Sequence, residues 1–465
     1  MYKNILFSFC NAICLSAIAA TVPPSPPSSL TVDGGSVSVS KLILTTTSCP
    51  IATQGSAYAG CTLKPTGGIP PYTFSVSDNV SYAPLPEGMT LNASTGVITS
   101  ALVGGQGTYI PLIVVTDSTK ATASATVSIP VNGSNAFLAT IFPSNSIFHH
   151  RVDFATTGLP VDTSPAAAIP STELTSELHP VAGTEYQNFP NGTVPAISVP
   201  YNTPFVNVTT TLYGSQFTSG PFPSYTPVEA TYRNTGDRHT SVYLQAGPST
   251  PPSLWEMWQG IYMGGPWSDS SNALWPDVTS NALASPGGTS DAAGLPVSPL
   301  VVNADEVIGT GTPSTPNGTI KHPIRFTLTQ MLNYWVWPST ASAGGGTCTN
   351  SAGSKIPTYT MLSQSVPPVS CTQTAPAGQI YRLKASVPTP ACVTTSPQAS
   401  VIITAFRNYG IILSDNGGSG QYSGTADARW NNNDLYCTRS LHLSDFEPVN
   451  VSSLMISTTS GQTSH

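Results

Sequence analysis

The sequence predicts an all-β protein: a small β-sandwich followed by a large β-sandwich or jelly-roll-like domain with long loops. Three observations predict it. Short runs of β-type residues recur along the chain, punctuated by Gly, Pro, Asn and Asp turns. Helical 3.6-residue periodicity is almost absent, and 44 Pro and 39 Gly disfavour long helices. The 14 Phe, 18 Tyr and 7 Trp supply packed cores although only 8% of residues are charged.

That charge content bounds the function, because an ordinary soluble domain carries about 25% charged residues. Here Lys+Arg is 15 and Asp+Glu is 22, for a net charge of −7. No basic cluster exists to meet a phosphate backbone, so nucleic acid is excluded as a partner.

Residues 1–20 read as a secretory signal peptide. Lys3 supplies the positive n-region, Ile5 to Ile18 the apolar stretch, and Ala17-Ile18-Ala19 a small-x-small cleavage pattern. No later stretch approaches the ~18 uninterrupted apolar residues of a membrane helix, so no transmembrane segment is expected after signal removal. Residues 21–40 are Pro- and Ser-rich (Pro23-Pro24-Ser25-Pro26-Pro27) and read as an extended linker.

Residues 41–131 carry the first set of short strands. Leu42–Thr45, Tyr72–Val76, Gly96–Thr99, Ile110–Val115 and Ala125–Ile129 are the β-type runs, with turns at Gly67-Gly68-Ile69-Pro70-Pro71 and Asn92-Ala93-Ser94-Thr95-Gly96. This segment resembles the Ig-like module of bacterial surface proteins. The matching residues are Gly67-Gly68-x-Pro70-Pro71-Tyr72-x-Phe74-Ser75-Val76, Leu85-Pro86-x-Gly88-x-Thr90-Leu91-Asn92-x-Ser94-Thr95-Gly96-x-Ile98 and Val115-Thr116-Asp117-Ser118. The resemblance implies a spacer or binding unit. Cys49 and Cys61 depart from the family pattern.

After the break at Asn132-Gly133-Ser134, residues 134–465 form the large β-rich domain. Its β-type runs include Ala196–Val199, Ser241–Leu244, Ile324–Leu328, Tyr334–Trp337, Ile380–Lys384 and Val401–Ile403. Val401–Tyr409 is the most plausible short helix, although the same run also fits a buried strand. This part resembles, more faintly, a family of exported bacterial proteins with no assigned activity. The resemblance is carried by Gly236-Asp237-Arg238-His239, Leu254-Trp255-Glu256, Thr289-Ser290-Asp291-Ala292-Ala293-Gly294-Leu295-Pro296, His322-Pro323-Ile324-Arg325-Phe326-Thr327, Tyr409-Gly410-Ile411-Ile412 and Asp415-Asn416-Gly417.

Six cysteines remain after signal removal, and an even number in an exported chain suggests disulfides. Cys49–Cys61 is expected because both lie in the small module. Cys348–Cys371 and Cys392–Cys437 are the nearest-neighbour pairings for the rest. No C-x-x-C pair, H-E-x-x-H or clustered His marks a metal site, and no phosphate loop is found, so neither a metal nor a cofactor is predicted.

The chemistry must be sought in the few charged residues. Asp237 and His239 share one strand face and could form an oriented acid/base pair; an ion pair and capping His at a strand entry is the structural alternative. Glu256, among Trp side chains, could act as a general acid, with Asp291, Glu306, Asp415 or Asp427 as a second carboxylate. His322 could be a partly buried acid/base or a core histidine, and Arg325 on the opposite face could bind substrate. Trp255, Trp258, Trp335 and Trp337 could stack on sugar rings, with Asp415 beside them; packing in the core is the other role open to each Trp. Two functions therefore remain open: a secreted polysaccharide hydrolase or lyase with an Ig-like spacer, and a non-catalytic surface protein that binds a glycan or another protein.

Overall fold

A computed structural model describes residues 29–464 apart from 33–34, 39, 79–81, 83–84, 105–106, 133–137, 139, 183–193, 230–236, 286, 426 and 428, with the backbone alone for 29–38 and 107–108. The signal peptide lies outside the described residues. The linker was expected to be extended throughout. Instead Ser29–Val32 and Gly35–Ser38 pair antiparallel, with Leu30 opposite Val37.

Residues 41–132 form short sheets around one apolar core. Thr73–Val76, Leu112–Thr116 and Thr122–Thr126 make one antiparallel sheet. Tyr58–Thr62, Val97–Ser100 and Thr90–Leu91 make another. Their inward residues, including Phe74, Ile98, Ile113 and Val115, are buried together. The expected single strand Ala125–Ile129 is two strands, Thr122–Thr126 and Ile129–Asn132, which pair with different partners. Cys49–Cys61 fastens the first strands, at a Cα–Cα distance of 5.4 Å.

The rest of the chain is also β-rich, so the protein is all-β as expected. Its main sheet has six strands in the order His179–Val181, Gln421–Ser423, Ile324–Leu328, Ile411–Asn416, Ile380–Leu383 and Phe446–Pro448. Two neighbouring pairs are parallel, which a purely antiparallel jelly roll would not contain. Pro397–Asn408 settles the ambiguous run as a helix. Pro at its start supplies a preset φ, and Ala399, Ile402, Ile403 and Phe406 lie on one buried face. Gly410, in the left-handed region at φ 77°, ends it, because a Cβ there would collide with the carbonyl of Tyr381. The helix leads directly into Ile411–Asn416, a central strand of the sheet.

A second sheet of four strands runs Ala196–Val199, Thr240–Leu244, Ser253–Trp258, Ser271–Trp275. Trp255, Trp267, Phe217 and Phe222 fill a separate core against it. The Gln54 side-chain amide donates to the Ala196 carbonyl at 2.7 Å, tying the N-terminal module to the edge strand of this sheet.

All three expected disulfides form: Cys49–Cys61, Cys348–Cys371 and Cys392–Cys437. They close loops with sequence separations of 12, 23 and 45 residues. Loop-closure entropy then ranks their contributions at about 3 kcal/mol for the first and about 4 kcal/mol for the last. Replacing Cys392 and Cys437 together by Ser is expected to lower the urea midpoint more than replacing Cys49 and Cys61. Equal midpoints for the two double variants would contradict the ranking.

Candidate functional site

A cavity of about 640 Å³ opens where the two larger sheets meet the loops around 289–294 and 341–344. Three carboxylates line it, from three separate chain regions: Asp237, Asp291 and Asp415. Trp258, Tyr213 and Tyr359 supply aromatic walls. The Tyr213 and Trp258 ring centroids are 5.8 Å apart. Tyr213 is 66% and Tyr359 64% exposed, so their rings remain available to a ligand. Tyr359 also sits at φ 57°, a conformation bulky residues rarely adopt without a local reason.

Each carboxylate is placed by a different device. Asp237 enters the strand Thr240–Leu244, is exposed, and accepts a 3.3 Å hydrogen bond from the Trp258 indole N–H. Asp291 sits in a tight loop. Its Oδ1 accepts from the backbone N–H groups of Ala293 (2.9 Å) and Leu295 (3.2 Å). The Ala293 carbonyl accepts from the N–H groups of Thr340 and Ala341, which fixes the loop to the cavity rim. Asp415 is placed by a bulge. Phe326 opposes Leu413, but Thr327 opposes Asp415, so Ser414 is the extra residue. In an uninterrupted strand Leu413 and Asp415 would share a face, and Asp415 would enter the apolar core. The bulge turns it to the other face, where Arg325 Nη2 lies 3.6 Å from its Oδ2.

The electrostatics follow from this packing. Burial raises the Asp291 carboxyl to about 7; Arg325 opposes the rise and the neighbouring Asp415 adds to it. Burial likewise lifts Asp415 to about 6, opposed by Arg325 and reinforced by Asp237. His239 is buried behind the wall, and its Nδ1 hydrogen-bonds Glu229. Burial alone would lower its pKa, but the Glu229 carboxylate outweighs burial and raises it to about 9. Three buried atoms of this group have no hydrogen-bond partner among the described residues: Asp291 Oδ2, His239 Nε2 and Arg325 Nε.

The His239–Glu229 pair makes stability depend on pH. A histidine whose folded pKa is raised stabilises fully below its unfolded value near 6.5, and the contribution is lost as pH rises through the folded value. Melting temperature is expected to fall between about pH 6.5 and 9, each pKa unit being worth about 1.4 kcal/mol. In Glu229→Gln that slope should flatten. An identical slope in both proteins would rule the pair out as its source.

Of the sequence candidates, Asp237, Trp258 and Asp415 line the cavity, while His239 and Arg325 stand behind it. Glu256 does not reach the wall. Its carboxylate is buried and accepts from the Ser241, Ser290 and Ser298 hydroxyls and from the backbone N–H groups of Val297 and Ser298, which leaves it a structural hub. His322 is also apart from the cavity. It is buried, with Nε2 3.2 Å from Glu306 and Nδ1 2.9 Å from the Pro323 carbonyl. The expected tryptophan platform reduces to Trp258. Trp255 packs edge-on against Phe205 and Phe217, Trp335 packs on the main core, and buried Trp337 donates to the Ser460 carbonyl. Asp427 pairs with Arg429. Sequence reasoning missed Tyr213, Tyr359 and Glu229. No spacing rule links Glu229 to a histidine ten residues on. Tyr213 and Tyr359 stand in irregular segments where periodicity is silent. Among the described residues no group of three His, Cys, Asp or Glu is arranged to hold a metal ion. No helix among them is long and apolar enough to cross a membrane.

No family model matches the chain, and no curated protein matches it. Two solved structures with some likeness are a chimeric titin Z1Z2 functionalized with an exogenous decorin peptide and the extracellular cadherin domains 1–4 of protocadherin gamma B7. The first is 15% identical over 21% of this chain and 99% of its own, with a TM-score of 0.16. The second is 12% identical over 50% of this chain and 48% of its own, with a TM-score of 0.17. At these scores neither likeness bears on the reading of the site.

Proposed function

We propose that the chain is a secreted glycan-active protein whose cavity hydrolyses a glycosidic bond. The observation that carries this reading is the grouping of Asp237, Asp291 and Asp415 in one cavity beside exposed aromatic rings. Glycoside hydrolysis needs one carboxyl group that holds a proton near neutral pH and a second that is ionised. Asp291, at about 7, fits the acid and gives its proton to the departing glycosidic oxygen. Asp237, the most exposed of the three, fits the base that takes a proton from the incoming water. Trp258, Tyr213 and Tyr359 offer faces on which a sugar ring stacks. Export rests on the N-terminal apolar segment and on three disulfides, which persist in oxidising compartments. The N-terminal sandwich then acts as a spacer.

The test is product release by the oxidised protein on a broad polysaccharide panel, read as new reducing ends and as absorbance of unsaturated sugars. Reducing ends without unsaturation establish a hydrolase. Unsaturated ends would replace it with a lyase. Retained binding to one glycan with no product would replace catalysis with adhesion.

A further inference from the structure

The cavity wall has a charge sign, and that sign selects a substrate class. Among the described residues the wall presents Asp237, Asp291 and Asp415 and no Lys, Arg or His. The cations behind it are already engaged: Arg325 with Asp415 and the Ser423 hydroxyl, and His239 with Glu229. Arg238 is buried next to Asp237 in sequence and does not line the cavity. Asp291 lines this space and is 4% exposed, and its buried Oδ2 has no hydrogen-bond partner among the described residues. An uncompensated buried carboxylate oxygen favours a cation or a donor. The aromatic rings point to the same ligand, because the faces of Trp258, Tyr213 and Tyr359 carry the negative lobe of the ring quadrupole and attract ammonium groups.

We propose that the cavity takes a glycan bearing free amino groups, a polymer of de-N-acetylated hexosamine, and disfavours uronic acid and sulfated glycans. This deepens the glycan reading above and rests on it. An ammonium group beside Asp415 stabilises its ionised form, so binding releases protons, while Asp291 keeps the proton it delivers. The groups that set this balance are Asp237, Asp291, Asp415, Arg325, His239 and Glu229. The net charge of −7 adds attraction at long range, which salt screens.

The experiment is calorimetric titration of the full chain at pH 7 and low salt with three hexasaccharides: β-1,4-glucosamine, its N-acetylated form and a hexauronate. Tetramethylammonium is a fourth probe. The glucosamine hexamer is expected to bind at least tenfold tighter than the N-acetylated form, with proton release, and the hexauronate not at all. In Asp237→Asn, an exposed substitution that leaves the fold intact, the tenfold preference should shrink. Equal binding of the acetylated and free-amine hexamers overturns the amine preference and leaves the glycan reading standing. Binding of tetramethylammonium without any sugar overturns the glycan reading and keeps a cation site. Binding of none of the four overturns both.

Discussion

Asp291→Asn is expected to lower product release by 10²- to 10⁴-fold while the protein keeps its melting temperature or gains a little. The amide keeps an oxygen at Oδ1, so the Ala293 and Leu295 N–H groups retain their acceptor. What changes is Oδ2, the atom without a partner among the described residues, which becomes an NH2 group unable to deliver a proton. A buried carboxyl raised to about 7 costs stability as pH rises from its unfolded value near 4 to 7, and that cost disappears in the variant. Reducing ends and thermal melts on the same sample separate the two effects. Unchanged turnover would remove Asp291 from the acid role, whatever the melt shows.

Glu256→Gln is expected to do the reverse: a large loss of stability and little loss of turnover per folded molecule. Oε1 receives the Ser298 N–H, and Oε2 receives the Val297 N–H. Whichever way the amide is turned, its NH2 group faces one backbone donor that cannot rotate away. The Ser241, Ser290 and Ser298 hydroxyls can turn to accept instead. Leaving one buried donor unpaired costs about 1–3 kcal/mol, and the lost charge-assisted bonds add to it. A urea midpoint lower by the equivalent of about 3 kcal/mol is the expected result. An unshifted midpoint with lost turnover would return Glu256 to a catalytic role.

The contrast between these two residues shows what was legible in the sequence. The all-β class was legible because alternation and turn residues are local signals, as at Ile324–Leu328 and Ile380–Leu383. The disulfide partners were legible because the cysteines pair consecutively in chain order. Asp237, Asp291 and Asp415 were all noticed as scarce charges, but their convergence depends on sheet order and on a one-residue bulge at Ser414. Neither leaves a pattern in the sequence. Glu256 misled because a carboxylate between tryptophans looks desolvated, whereas the donors that satisfy it come from residues 290–298, across the sheet. The helix Pro397–Asn408 was half legible, since a short run such as Val401–Ile403 fits a buried strand as well as a helix.

The strand order of the main sheet has a kinetic consequence. Its neighbours along the sheet come from residues near 180, 421, 325, 412, 381 and 447, so only one adjacent pair, Ile380–Leu383 and Ile411–Asn416, consists of consecutive strands, and these are joined through the helix Pro397–Asn408. Such distant pairings require large loops to close before any contact rewards them, and folding slows accordingly. The edge strand Phe446–Pro448 is the last of the six in chain order, so the sheet cannot be completed before the chain is made through residue 448. The same late closure brings Cys392 to Cys437 across 45 residues.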